Sequence, residues 1–163
     1  MSLQLNKSSE TGLYDEQVFK LLAEYELSRA QRYPSPVTLL HISLNLEQVK
    51  PEIAEKVKQL FEGILNTSLR ISDIPGHYGN DFLVLMPATD ETGAQAAAGR
   101  LIARLKGTRD FDDGNLFKFS IHIGIATHPG GRGASANQLL QQAETAMQQA
   151  RKVGPQAYKV FSE

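Results

Sequence analysis

The apolar positions of this chain change period several times, and each change marks a boundary between elements. Val18, Leu21, Leu22 and Tyr25 recur at helical spacing, which predicts a first amphipathic helix with that stripe turned to the core. The run from Val37 to Leu44, entered after Pro34 and Pro36, is rich in β-formers and reads as a strand. Pro51 suits a helix start, and Ile53, Val57, Leu60, Phe61, Ile64 and Leu65 then share one face. Leu69 to Ser72 and Phe82 to Met86 are short apolar runs joined by Pro75-Gly76-His77-Tyr78-Gly79-Asn80, whose turn formers predict an antiparallel hairpin. After Pro87, the segment from Thr89 opens with acidic residues suited to a helix start and sets Ala94, Ala97, Ala98, Leu101, Ile102 and Leu105 on one face. Phe111 to Asn115 reads as a turn-rich loop. Phe117 to Ala126 reads as a strand in which Phe119, Ile121, Ile123 and Ile125 alternate with smaller or polar partners. Ser135 with Gln138 makes a capping box for the last helix, Gly154-Pro155 stops it, and Tyr158 to Phe161 is a closing strand.

The resulting order, α-β-α-β-β-α-β-α-β, predicts an α/β sandwich. Its core is the βαββαβ split of ferredoxin-like and palm domains, with a mainly antiparallel five-stranded central sheet and helices on both faces. Such an architecture hosts RNA binders, metal-dependent nucleotide enzymes and assembly modules, so the function has to come from particular residues. With 163 residues, 41% apolar and 21% charged, one soluble domain is expected. The formal charge of -1 offers no general field for nucleic acid or anionic lipid, so any phosphate binding must rest on a few local arginines. The strand from Phe119 to Ile125 carries a single aromatic, which argues against RNA recognition through a stacking sheet. No cysteine is present, which suits the cytosol, and no apolar run approaches the ~20 residues of a membrane span. Residues 1–10, from Met1-Ser2-Leu3 through the polar stretch Asn6 to Glu10, read as tag and linker, and residues 11–163 as one domain of a longer protein.

Four segments then agree with one family. Thr11-Gly12-Leu13-Tyr14-Asp15 resembles an opening T-G-L-Y-N, and His77-Tyr78-Gly79-Asn80-Asp81-Phe82-Leu83-Val84-Leu85 resembles an R-Y-G-G-D-E-F-L-V-L hairpin. Ile121-His122-Ile123-Gly124-Ile125-Ala126 is similar to S-I-G-I-A, and Ala143-Glu144-Thr145-Ala146-Met147 with Ala150-Arg151 is similar to A-D-x-A-M-Y-x-A-K. In this order and on these elements, they make the chain resemble the GGDEF domain of diguanylate cyclases over nearly its whole length. The resemblance implies a bacterial, cytoplasmic signalling module with a nucleotidyl-cyclase palm-like fold. It also implies an activity, the joining of two GTP molecules into cyclic di-GMP with two divalent metals.

That chemistry needs hard oxygen ligands and carboxylates to offset two Mg²⁺ ions beside a triphosphate. The family's D-x-D at the end of the first strand falls here on Ser43-Leu44-Asn45, and both acids are replaced by neutral side chains. The signature aligns in two ways. Either Tyr78 replaces the first Gly and Asn80 stands at the metal-binding acid, or one residue is deleted after Gly79 and Asp81 is that acid. The deletion keeps His77-Tyr78-Gly79 in step with R-Y-G. The family's guanine-pocket motifs have no counterpart in Glu47-Gln48-Val49-Lys50-Pro51-Glu52, and the late G-R-N reads Gly154-Pro155-Gln156. Arg151 matches the phosphate-binding lysine. The expectation is a domain with a degenerate catalytic site, no catalytic residue, and no cofactor unless residual cyclase activity recruits Mg²⁺.

Arg70-Ile71-Ser72-Asp73 matches the family's R-x-x-D inhibitory site with the usual spacer to Gly79, and Arg100 matches its further arginine. The resemblance implies cyclic di-GMP bound by Arg70, Asp73 and Arg100, since a guanidinium fork suits phosphate or the guanine Hoogsteen edge and a carboxylate accepts from guanine N–H groups. The plainer reading is an Arg70–Asp73 surface ion pair whose loss leaves the melting temperature nearly unchanged. His41 and His122 lie in expected strands, either as a metal pair or as packed neutral histidines, and His77 and His128 are expected in loops. Gln138, Gln141, Gln142, Gln148 and Gln149 read as a solvated helix face, and Arg104 and Lys106 as exposed helix charges. Three functions remain open: a cyclic di-GMP receptor, a domain that binds other domains or a homodimer partner, and an active cyclase.

Overall fold

A computed structural model of the chain describes residues 11–107 and 119–162. Their elements run α1 (Glu16–Arg32), β1 (Val37–Asn45), α2 (Pro51–Ser68), β2 (Ile74–Tyr78), β3 (Asp81–Pro87), α3 (Glu91–Lys106), β4 (Ser120–His128), α4 (Ala136–Arg151) and β5 (Gln156–Val160), the order expected from the sequence. The linker at residues 1–10, the loop Phe111 to Asn115 and the first two residues of the expected strand at Phe117 lie outside the described residues.

The strands form one sheet in the order β2-β3-β1-β4-β5. All neighbouring pairs are antiparallel except β4 and β5, which α4 connects as the crossover that a parallel pair requires. Alternation along β1 divides the core. Leu40 and Ile42 meet Val57, Phe61 and Leu65 of α2 and Ala94, Ala98 and Leu101 of α3 on one face. Val37 and Leu39 meet Phe19, Ala23 and Leu27 of α1 and Leu139 and Ala143 of α4 on the other. Both faces of the sheet are therefore covered. Asp15, Asp90 and Ser135 cap α1, α3 and α4 by accepting from Val18, Gly93 and Gln138 N–H groups, and Pro51 opens α2 where a missing N–H costs nothing. The opening motif thus has three separate tasks. Leu13 fills the core, Tyr14 bridges to Gly76 on the outer edge of β2, and Asp15 starts α1.

Three expectations fail. The buried face of α1 is Phe19, Ala23, Leu27 and Ala30, while Tyr25 is 67% exposed and Leu21 is also exposed. Small alanines let the helix settle against the sheet, and that closeness outweighs the larger aliphatic residues a quarter-turn away. No strand covers Leu69 to Ser72. There α2 runs on to Ser68, and residues 70–73 form a turn closed by the Asp73 N–H donating to the Arg70 carbonyl at 3.0 Å. The first hairpin strand is instead β2, which contains Pro75 and Gly76. Pro75 is tolerated because β2 is an edge strand, and the His77 N–H, two residues along and on the same side, points outward to Tyr14 O at 2.9 Å. Gly76 is required because a Cβ there would lie 2.6 Å from the Phe19 ring. The actual loop is Gly79-Asn80, with Gly79 at φ +60°, the left-handed value a tight two-residue hairpin takes from glycine. Finally, His77 lies in β2 and His128 ends β4, so neither is a loop residue.

Candidate functional site

Because β1 lies at the centre of the sheet, its C-terminal end is met from several directions. Ser43, Asn45 and Glu47 approach from β1 and the turn after it, Asn80 from the hairpin loop, Asp81 from the start of β3, Lys58 from α2, His122 from β4 and Arg151 from the end of α4. They line a cleft of about 860 Å³. All five residues that the sequence marked for the degenerate catalytic site and its phosphate contact are therefore brought together. Both candidates for the signature acid, Asn80 and Asp81, reach the same cleft.

Several of its polar groups are already engaged by neighbouring protein atoms. Arg151 Nη2 donates to Ser43 Oγ at 2.7 Å, and His41 Nε2 donates to Asp81 Oδ2 at 2.8 Å. The Tyr78 ring stands edge-on to His41 at 5.6 Å between centroids. Asn45 Oδ1 accepts from the Glu47 N–H at 3.1 Å, which turns the chain at the end of β1. His122 Nε2 donates to the Gly154 carbonyl at 2.5 Å. Each histidine thus bonds a different partner through Nε2, and each leaves a buried Nδ1 unpartnered. Among the described residues no group of three histidines, cysteines or acids gathers as a metal cluster would.

The two divalent cations that the resemblance implies do not fit this cleft. At Ser43 a guanidinium approaches from α4, and it would repel a nearby metal ion. Of the two acids in the lining, Asp81 already accepts from His41 and Glu47 lies on the turn beyond β1, while Asn45 brings no charge. Sequence reasoning missed Lys58 and the His41–Asp81 bond. No local pattern signals either, because both arise when distant elements converge at one sheet edge.

The second group of marked residues surrounds the 70–73 turn. Asp73 is 4% exposed and accepts three bonds from Arg70. These come from the backbone N–H at 2.9 Å, from Nε at 3.4 Å and from Nη2 at 3.0 Å. The expected surface ion pair is therefore a buried carboxylate capping its own turn, and its oxygens are not presented to a guanine. Arg70 also donates to the Pro87 carbonyl at 3.1 Å and to the Thr89 hydroxyl, so it ties the turn to the end of β3. Its guanidinium nevertheless stays half-exposed. Arg70 and Arg100 line a shared hollow of about 300 Å³ with Thr89, Asp90 and Gly93, while Asp73 does not. Arg104 is exposed on α3 as expected, and it also donates to Thr67 Oγ1 at 2.8 Å and Ser68 Oγ at 2.5 Å, clamping α3 to the end of α2.

The model of the family described as diguanylate cyclase, GGDEF domain, matches residues 9–157. The chain belongs to the GGDEF family. Among curated relatives, the diguanylate cyclase DgcS of Shewanella oneidensis is 24% identical over 165 residues, covering 98% of this chain and 54% of DgcS. The chain therefore spans about half the length of that relative. Among solved structures, the GGDEF domain of DgcB from Caulobacter crescentus, in complex with cyclic di-GMP, superposes with a TM-score of 0.83 at 11% identity over 98% of each chain. The GGDEF domain of TpbB, also called YfiN, from Pseudomonas aeruginosa gives a TM-score of 0.82 at 22% identity over 96% of this chain and 95% of that one. These likenesses carry the GGDEF fold. What this member does at its own cleft and its own turn has to be read from the residues it places there.

Proposed function

We propose that this GGDEF domain is catalytically inactive and acts as a regulatory module that receives cyclic di-GMP at the arginine pair Arg70 and Arg100. Inactivity is supported above all by the Arg151–Ser43 bond, which puts a fixed positive charge where the reaction needs carboxylates around a metal. Receptor function is supported by the shared hollow of Arg70 and Arg100 beside a turn that holds Arg70 in place. Two guanidinium groups there offer bidentate bonds to phosphate oxygens or to the Hoogsteen edge of guanine. Asp73 acts in this reading as a positioning residue for Arg70.

Calorimetric titration of the protein with cyclic di-GMP tests the receptor reading. Saturable binding that weakens on Arg100→Ala supports it, and absence of binding at high micromolar ligand overturns it. A second reading, a protein-interaction domain, is favoured by the full exposure of Ile71 at the tip of the 70–73 turn and by the exposed Leu21 and Tyr25 on α1. Residues of this size and apolarity on the surface suit contact with a neighbouring domain or a second copy.

A further inference from the structure

Helix α1 carries more apolar surface than its own fold uses. Its inward residues are Phe19, Ala23, Leu27 and Ala30, yet a second row, turned to solvent, repeats every four residues as Leu21, Tyr25, Arg29 and Tyr33. Tyr25 and Tyr33 are 67% and 72% exposed. The Tyr33 N–H donates to the Arg29 carbonyl at 3.0 Å, so the last member of the row keeps the helical step beyond Arg32. Of the six large hydrophobic side chains exposed among the described residues, three lie in this one row, where a purely solvated face would carry charge. Beside it runs a row of Glu24, Ser28 and Arg32, all exposed. The outer face of α1 therefore places an acid before Ser28 and two arginines after it.

We propose that this face of α1 is the contact between two copies of the chain, packed antiparallel about a two-fold axis near Ser28. The order of the row decides both the partner and the direction. Run in opposite senses, Leu21 meets Tyr33 of the second copy and Tyr25 meets its Arg29, so each tyrosine ring lies against an aliphatic side chain or a guanidinium. The same register sets Glu24 near Arg32 of the second copy. A parallel pair would oppose Glu24 to Glu24 and arginine to arginine, with the helix dipoles aligned. Rows at four-residue spacing are also the ridges of the commonest helix-on-helix packing, and a two-fold contact satisfies both copies with one surface. Arg29 is paired at 3.7 Å with Glu26 inside α1, an exposed contact that costs little to exchange for a tyrosine face. Two tyrosines at about 150–250 Å² each, with Leu21 and Arg29 beside them, bury on the order of 500 Å² per copy. That is close to the lower bound of a specific interface, about 1,000 Å² over both partners, and fits a weak, concentration-dependent dimer. The proposal rests on the interaction-domain reading, whose partner it names, and it needs no cyclic di-GMP.

Sedimentation of the whole chain in nucleotide-free buffer, from micromolar to millimolar concentration, should show a reversible passage from monomer to dimer. Tyr25→Glu should leave the melting temperature within about 1 °C and weaken the dimer by about tenfold or more, as loss of a central tyrosine anchor does. Glu24→Arg and Arg32→Glu should each weaken self-association, and mixing the two variants should restore it as a heterodimer with opposite charges in both contacts. The chain has no cysteine, so Ser28→Cys gives a single thiol that should cross-link two copies on oxidation, whereas Gln17→Cys at the far end of α1 should not. A chain that stays monomeric at millimolar concentration would overturn the second copy as partner while leaving the interaction-domain reading to a different domain. A dimer unaffected by Tyr25→Glu, with no heterodimer from the mixed charge variants, would overturn the α1 face and keep that reading.

Discussion

The side chain of Arg70 wraps the carboxylate of Asp73, with Nη2 at 3.0 Å from Oδ1 while the backbone N–H of the same arginine donates to Oδ2 at 2.9 Å. A family motif suited to ligand recognition is thus also a turn-forming device. Removing Asp73 leaves the Arg70 N–H without its acceptor in a part-buried place. Asp73→Ala should therefore cost about 1–3 kcal/mol, against the unchanged stability expected of a surface pair. A thermal melt reads this as a drop of roughly 2–4 °C per kcal/mol for a domain of this size. An unshifted melting temperature would show that the turn holds without the carboxylate.

Arg100 makes the cleaner test of ligand binding, because it is exposed on α3 and lines the hollow without bracing the turn. Arg100→Ala should leave the melting temperature within about 1 °C and weaken cyclic di-GMP binding by about tenfold or more. Arg70→Ala mixes two effects, since Arg70 both faces the hollow and holds Asp73, Pro87 and Thr89 in register. Calorimetry on the Arg100 variant with unchanged affinity would separate this member from ligand recognition at that hollow.

Much of this was legible in the sequence, and the misses share a cause. Element order follows from periodicity, because Val57, Phe61 and Leu65 or Ile121, Ile123 and Ile125 leave one period that satisfies burial. The face of α1 was misread because Leu21 and Tyr25 are larger than Ala23 and Ala30, yet packing distance to the sheet decided between them. Pro75 and Gly76 read as a turn because edge-strand geometry and the approach of Phe19 are tertiary facts. The cleft residues Ser43, Asn45, Asp81 and Arg151 were legible as a group through the family's motifs. Their bonds to each other and to His41 were not, since those come from elements 40 and 108 residues apart.

Incubation with GTP and Mg²⁺ should yield no cyclic di-GMP, followed by chromatography of the nucleotides. Ser43→Asp alone should not restore it. The carboxylate so introduced faces Arg151, now 2.7 Å from the serine hydroxyl, and would bond the guanidinium ahead of a metal ion. Positioning and electrostatics must be present together for this chemistry, and the guanine-pocket motifs remain absent. Measurable product from either protein would refute the assignment of an inactive cleft.

The hairpin should carry a stability dependence on pH through His77. Burial pushes its pKa below the ordinary value, and its Nε2 is bonded to Thr11 Oγ1 at 3.0 Å, holding the opening motif against β2. Below about pH 6.5 the unfolded chain takes up a proton at this residue that the folded chain resists. In that window the unfolded state binds more protons, so stability falls as the pH falls and levels off below the folded value. Glu62 acts in the opposite sense, since burial and then the Glu55 charge raise its pKa, and it favours the folded state as the pH drops through its range. A variant isolates the histidine. His77→Gln keeps a side chain able to bond Thr11 but does not titrate, so its melting temperature between pH 7.5 and 5.5, values chosen to bracket about 6.5, should fall less than that of the parent. Parallel losses in the two proteins would place the acid sensitivity elsewhere in the domain.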